Sequence, residues 1–251
     1  MLTRRRFLAL ATLAVPAVGA DASLFEPTGL CVRKLTLNRG GSLSFVHFTD
    51  FHFKGDTEYA SKVIQAINRE KPAFVCFSGD LVEDRRFAPA ALGFIQQIKA
   101  PVYGAPGNHD YTSRTPFSEF HRAFSATGGE WLVDCNIILP QYDLEIFGSA
   151  MGGVHALGKQ CAARRILLMH YPAMADKLNG QAFDLILAGH SHGGQVRIPF
   201  YGAPVLPWGV GPYDLGRFET KGGTLYVGSG IGTHQYDIRF NCRPEITVVT
   251  I

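Results

Sequence analysis

Five apolar runs in this chain each stop at a short cluster of metal-ligating side chains. Residues 43–49 run into Asp50-Phe51-His52, and residues 73–77 into Ser78-Gly79-Asp80. Residues 102–105 lead to Pro106-Gly107-Asn108-His109-Asp110, residues 165–169 to His170, and residues 184–188 to Gly189-His190-Ser191-His192. Such runs read as buried strands, and strand-end loops of an α/β domain converge on one point in space. The clusters hold five imidazoles, three carboxylates and one carboxamide within about 140 residues. Brought together, they would make a site for two metal ions with a histidine to spare, an apparatus suited to hydrolysing phosphate esters.

Helical patterns alternate with these strands. Tyr59 to Arg69 has helical periodicity, with Val63, Ile64 and Ile67 on one face and Pro72 stopping it. A second helix is expected over residues 89–98, which gives a β-α-β-α-β unit with right-handed parallel crossovers. The second half is richer in strands. Phe117 to Ser125 reads as helix, Trp131 to Leu139 as one extended segment, and further strands are expected at 144–147, 195–198, 224–227 and 245–251. Two sheets packed face to face, with helices outside, account for that order. With 251 residues, 46% of them hydrophobic, the chain suits one sizeable domain, placed at 43–251 after a linker and first strand region at 23–42.

Residues 1–22 read as an export signal: Arg4-Arg5-Arg6, an apolar stretch from Phe7 to Ala20, then small residues. Adjacent arginines followed by Phe7-Leu8 resemble a twin-arginine signal, and an uncleaved membrane anchor is the alternative. The expected location is the cell envelope, with membrane or cell-wall association and a monomeric state. A net charge of only +3, with no basic patch or aromatic ladder, argues against nucleic acid as a partner. Five cysteines at irregular spacing, without C-x-x-C, exclude a zinc–thiolate site. Cys76 lies within an apolar strand and is expected in the core.

Hard divalent cations near a phosphate take oxygen and imidazole ligands. Asp50 and His52, two apart at a strand end, can face one side. Asp80 has two oxygens and could bridge two ions, while Asn108 offers an oxygen without charge. His190 and His192 could divide between the ions, and His170 would complete the second.

The order D-x-H, G-D, G-N-H-D, H, G-H-x-H resembles the signature of calcineurin-like metallophosphoesterases over about residues 43–251. Gly189 to Pro199 and the ending Arg239 to Ile246 are similar to a YaeI-like phosphodiesterase branch. The resemblance implies a four-layer α-β-β-α sandwich of two mixed sheets flanked by helices. It implies one metal on Asp50, His52, Asp80 and His192, and a second on Asp80, Asn108, His170 and His190. It also implies that His109 serves the leaving oxygen and that Asp110 orients His109. Two divalent ions are the expected cofactors, and mixed nitrogen and oxygen ligation admits Mn, Fe or Zn. The expected reaction is hydrolysis of a phosphodiester or pyrophosphate in a small or lipid-linked substrate, by attack of a metal-bridging hydroxide. UDP-2,3-diacylglucosamine pyrophosphatase of lipid A synthesis is one alternative. A non-catalytic, metal-dependent cell-wall-binding module is another. Residues 199–218 form a proline-rich apolar loop, either a wall for the substrate or a cover for a sheet edge. Arg197, Arg217, Arg239 and Arg243 are candidate phosphate contacts or solvated surface arginines, and Glu83-Asp84-Arg85-Arg86 is expected to be a solvated loop, with one of its charges able to sit at the pocket rim.

Overall fold

The structure is a computed structural model that describes residues 19–37, 42–150, 160–178 and 180–251. Most of the expected export signal, residues 1–18, lies outside the described residues. Among the described residues, no helix is long and apolar enough to cross a membrane.

The strands are β1 (Cys31–Thr36), β2 (Ser44–Phe48), β3 (Val75–Phe77), β4 (Val102–Gly104), β5 (Glu130–Trp131) and β6 (Cys135–Leu139). They continue as β7 (Leu144–Gly148), β8 (Arg164–Leu168), β9 (Leu185–Ala188), β10 (Gly216–Thr220), β11 (Gly223–Val227) and β12 (Glu245–Thr250). The α-helices are α1 (Thr57–Arg69), α2 (Ala88–Ile95), α3 (Asn108–Thr112) and α4 (Phe117–Ser125). One six-stranded sheet runs β1-β12-β2-β3-β4-β5, and the other runs β10-β11-β9-β8-β7-β6.

Both sheets are mixed, and each has a parallel centre. In the first, β2, β3, β4 and β5 pair in parallel, with Phe48 opposite Phe77 and Phe77 opposite Gly104. In the second, β7, β8, β9 and β11 pair in parallel. Side-chain alternation divides the core into layers. Val46, Phe48, Val75 and Phe77 pack outward against Val63, Ile67, Leu92 and Phe124 of the helices. Phe45, Phe74 and Cys76 pack inward against Ile146, Ile166, Leu168, Leu185 and Leu187 of the second sheet. The far face of that sheet, with Leu167, Ile186 and Leu225, is covered by Ala175 and Leu178 around the 3₁₀ segment Pro172–Lys177. This is the expected α-β-β-α sandwich.

Helix α1 starts at Thr57, two residues before the Tyr59 expected from its pattern, and ends at Arg69 as expected. The Asp56 carboxylate caps it by accepting the Tyr59 N–H at 2.9 Å.

Two expectations are corrected. Residues 131–139 are not one strand. β5 closes the first sheet, the chain turns at Asp134 (φ 52°), and β6 then pairs with β7 in the second sheet. An apolar pattern reports burial but not which sheet provides it. Residues 195–198 are also not a strand. Gln195 takes φ 58°, and only isolated bridges form, from Val196 to Phe240 and from Ile198 to Gly202.

Candidate metal centre

All five polar clusters follow the C-terminal ends of parallel strands: β2, β3 and β4 in one sheet, β8 and β9 in the other. The two sheets meet through the backbone at this edge. The His190 N–H donates to both Asp50 carboxylate oxygens, at 3.1 and 3.0 Å. A Cβ on Gly189 would lie 2.2 Å from Asp50 Oδ2, and one on Gly107 would lie 2.2 Å from Asp80 Oδ1. Glycine at these two positions lets loops from separate strands come within van der Waals contact of the carboxylates.

The side chains fall into two groups with one carboxylate between them. Asp50, His52 and His192 form one cluster, and Asp80, His170 and His190 form the other. His192 Nε2 lies 3.3 Å from Asp50 Oδ1 and 3.1 Å from His52 Nε2. Asp80 Oδ2 faces both groups, at 3.1 Å from His170 Nε2 and 3.4 Å from His52 Nε2. Asp80 Oδ1 is held by the His109 backbone N–H at 2.7 Å.

These residues fit a pair of cations on three grounds. First, the buried atom Asn108 Oδ1 has no hydrogen-bond partner among the described residues. An unsatisfied buried acceptor is costly unless something binds it. Second, the imidazoles have their tautomers set from behind. His52 Nδ1–H donates to Glu83 (2.6 Å), His170 Nδ1–H to the Ser78 carbonyl (2.8 Å), and His190 Nε2–H to the Trp208 carbonyl (2.7 Å). Each bond leaves the opposite ring nitrogen as a lone-pair donor. Third, Asp50, His52, Asp80, His190 and His192 all hold positive φ, between 42° and 68°. Such a cluster of left-handed, non-glycine residues is backbone strain concentrated at one place.

The electrostatics agree. Burial pushes the Asp50 and Asp80 carboxyls up, but the surrounding imidazoles outweigh it and hold both well below the usual carboxylate range. Burial pulls the His52 and His170 rings down, yet the carboxylates beside them push them up, to about 10 and about 9. Burial dominates for His190, which falls to about 4. The pocket thus gathers protons on His52 and His170 when no cation is present, and a cation entering it replaces them.

The other expected site residues divide. The His109 ring stands beside the cluster, with its centroid 4.7 Å from that of His52. The role expected for Asp110 is corrected. Its buried carboxylate accepts the backbone N–H groups of Asp80, Leu81 and Gly107, each at 2.8 Å. Asp110 therefore locks the Asp80 loop to the Asn108 loop rather than orienting the His109 ring.

That orientation comes from Glu83, expected to be solvated. Glu83 Oε2 lies 2.6 Å from His52 Nδ1 and 3.4 Å from His109 Nδ1. Burial raises the Glu83 carboxyl, but hydrogen bonding from His52 and the neighbouring imidazoles bring it down to about 2. Its one signal in the sequence is its place three residues beyond Asp80 in the same loop. His234 also escapes sequence reasoning, because it lies in no motif. Its ring centroid sits 4.8 Å from that of His109, and its Nδ1 lies 3.7 Å from Glu83 Oε1.

Glu83→Gln is expected to weaken cation binding at the Asp50–His52–His192 cluster by roughly 10–100-fold, as loss of a carboxylate behind a ligating histidine does. Metal titration of the variant checks this, and unchanged affinity at both clusters would remove Glu83 from the centre.

The four arginines are committed elsewhere. Arg239 is fully buried and donates to the carbonyls of Cys242, Ser229, Gly230 and Gly232. Arg197 pairs with Asp214 at 2.8 Å and Arg217 with Glu219 at 2.7 Å, and Arg243 donates to the Gly29 carbonyl.

Known proteins give a consistent picture. The family model described as calcineurin-like phosphoesterase matches residues 43–194. The Bacillus subtilis (strain 168) protein named uncharacterized metallophosphoesterase YkuE is 27% identical over 292 aligned residues, covering 100% of this chain and 98% of that protein. Phosphodiesterase YaeI of Escherichia coli (strain K12) is 36% identical over 87 residues, which cover 35% of this chain and 32% of that one. Among solved structures, a dimetal phosphatase from Danio rerio superposes with a TM-score of 0.48 at 11% identity, covering 76% of this chain and 88% of that one.

Proposed function

The chain belongs to the calcineurin-like phosphoesterase family, and from that premise we propose that it hydrolyses phosphodiester bonds at a two-cation centre. The observation that carries this reading is Asp80, whose carboxylate lies between two histidine clusters with His109 beside it. Asp50, His52, Asp80, Asn108, His170, His190 and His192 would hold two divalent cations, which would supply Lewis-acid polarisation of the phosphate and acidify water.

The protein's own groups do the rest. Water adds to phosphorus and gives up one proton to solvent, the bond from phosphorus to the alcohol oxygen breaks, that oxygen takes a proton from His109, and solvent returns a proton to the ring. His109 Nδ1 faces Glu83, which leaves Nε2 as the nitrogen able to deliver that proton. Burial lowers the proton affinity of the His109 ring, and the Glu83 carboxylate beside its Nδ1 opposes that. With all four candidate arginines engaged elsewhere, charge on the phosphate is met by cations and imidazoles. That provision suits a diester, with one negative charge per phosphate, better than a doubly charged monoester.

We place the reaction at the cell envelope on the strength of the arginine-led apolar N-terminus. A lipid-linked pyrophosphate is a second reading, favoured by the exposed Trp208 side chain beside His190.

The test compares a bis-aryl phosphodiester, an aryl phosphomonoester and a lipid-linked pyrophosphate with protein stripped by a chelator and reloaded with Mn²⁺. Activity on the diester is expected to vanish on stripping and return on reloading. Preference for the monoester would overturn the reading.

A further inference from the structure

Large apolar side chains left in solvent lie in two segments tied to the metal centre. Ile198, Phe200, Tyr201, Val205 and Trp208 make up five of the twelve such exposed residues among those described, and Tyr236 and Ile238 add two more. Exposed apolar patches of this extent mark a surface that meets something.

Both segments are fastened to the centre. The Trp208 carbonyl holds His190, and Tyr236 follows two residues after His234, whose ring packs on His109. Gln195 links the two segments. Its amide nitrogen donates to the Tyr236 and Ile238 carbonyls at 3.1 Å each, and its oxygen accepts the His234 N–H at 2.6 Å. The apolar side chains therefore flank the mouth on both its His190 and its His109 sides.

The N-terminal part of the chain arrives at this mouth as well. The turn Asp21–Phe25 leaves Leu24 and Phe25 exposed. It is pinned to the second segment, with Ala22 O accepting the Arg239 N–H and the Glu26 carboxylate accepting the N–H groups of Asn241 and Cys242. Ser23 and Leu24 line a cavity of about 230 Å³ together with His52, Thr233 and Asp237. The residues leading into that turn are the apolar stretch from Phe7 to Ala20.

Resting on the phosphodiesterase reading, we propose that this rim is a bilayer-docking surface that presents the metal centre to phosphodiesters in lipid headgroups. Three features select a lipid surface. Residues 198–213 contain no charged side chain, and Asp237 in the second segment is neutralised by Lys54 at 3.3 Å. The rim is rich in Tyr and Trp, whose rings settle at headgroup level in a membrane. That is also the depth of a lipid's phosphate, so rim and substrate share one plane. The chain's most apolar stretch leads into the same mouth.

The protein carries its own reporter. Of its two tryptophans, Trp131 is fully buried and Trp208 is 78% exposed. The full chain, loaded with Mn²⁺, is mixed with vesicles of phosphatidylethanolamine and phosphatidylglycerol. Trp208 emission is expected to shift to the blue and to be quenched by lipids brominated on the acyl chain, and Trp208→Phe should abolish both responses. A triple variant, Phe200→Ser with Tyr201→Ser and Val205→Ser, is expected to bind vesicles about tenfold more weakly or worse, since interfacial affinity scales with buried apolar area. Its turnover of a soluble diester should be unchanged.

An unshifted Trp208 that iodide still quenches, in protein that sediments with the vesicles, would overturn the proposal, and so would failure to sediment. The two readings fail separately. Normal diester turnover with a silent Trp208 removes the docking surface alone, whereas a responsive Trp208 without hydrolysis of any diester removes the phosphodiesterase reading.

Discussion

Asp80→Asn empties both halves of the centre and lowers diester turnover by at least about 10³-fold, since charge stabilisation by bound cations accounts for several kcal/mol of the barrier. Asp80 Oδ1 must accept the His109 N–H at 2.7 Å, while Oδ2 faces His170 and His52. An amide has one oxygen. Set toward His109, it turns its NH₂ at the two histidine clusters. Set the other way, it opposes one N–H with another. The fold should survive, because Asn tolerates the φ of 62° that Asp80 holds. Elemental analysis of the purified variant decides the matter, and two tightly held metals per chain would contradict the bridging role.

His109→Ala has the second largest effect and the opposite signature. Metal content is expected to stay at the wild-type level, because no cation donor is removed. Turnover of a diester with an alkyl leaving group should fall by about 10²–10⁴-fold, the range for loss of a general acid. A nitrophenyl leaving group needs little help to depart, so the loss there should be much smaller. The gap between the two substrates is the readout. Equal losses on both would assign His109 to binding or structure, and no loss on the alkyl diester would remove it from the mechanism. Glu83→Gln should share part of this leaving-group dependence, because Glu83 holds the His109 ring, and should add a defect in cation affinity that His109→Ala lacks.

Much of the centre could be read along the chain because its donors lie in local motifs at strand ends. Asp50-x-His52, Gly79-Asp80, Gly107-Asn108 and His190-x-His192 each place a donor within a few residues of a buried strand, and burial periodicity locates the strand. The layer order followed from the same signal, since inward and outward faces alternate along β2 and β3. The path of residues 131–139 did not. Residues 131–139 carry one apolar pattern, and the partners of β5 and β6, which lie in different sheets, decided where it divides. The burial of Arg239 was missed for a related reason. Arg239 stands between Ile238 and Phe240 in the sequence, and the fold closes the 229–232 loop over its guanidinium.

The sequence alone determined which nitrogen and oxygen donors stand at the strand ends, because ligand chemistry belongs to the side chain and the strand ends set its spacing. Only the tertiary structure decided what holds those atoms in place: Glu83 behind His52 and His109, Asp110 clasping two loops, and the Trp208 carbonyl on His190. These are contacts between separate loops at hydrogen-bonding distance. Such distances depend on how two sheets pack, and the order of residues along one chain does not contain them.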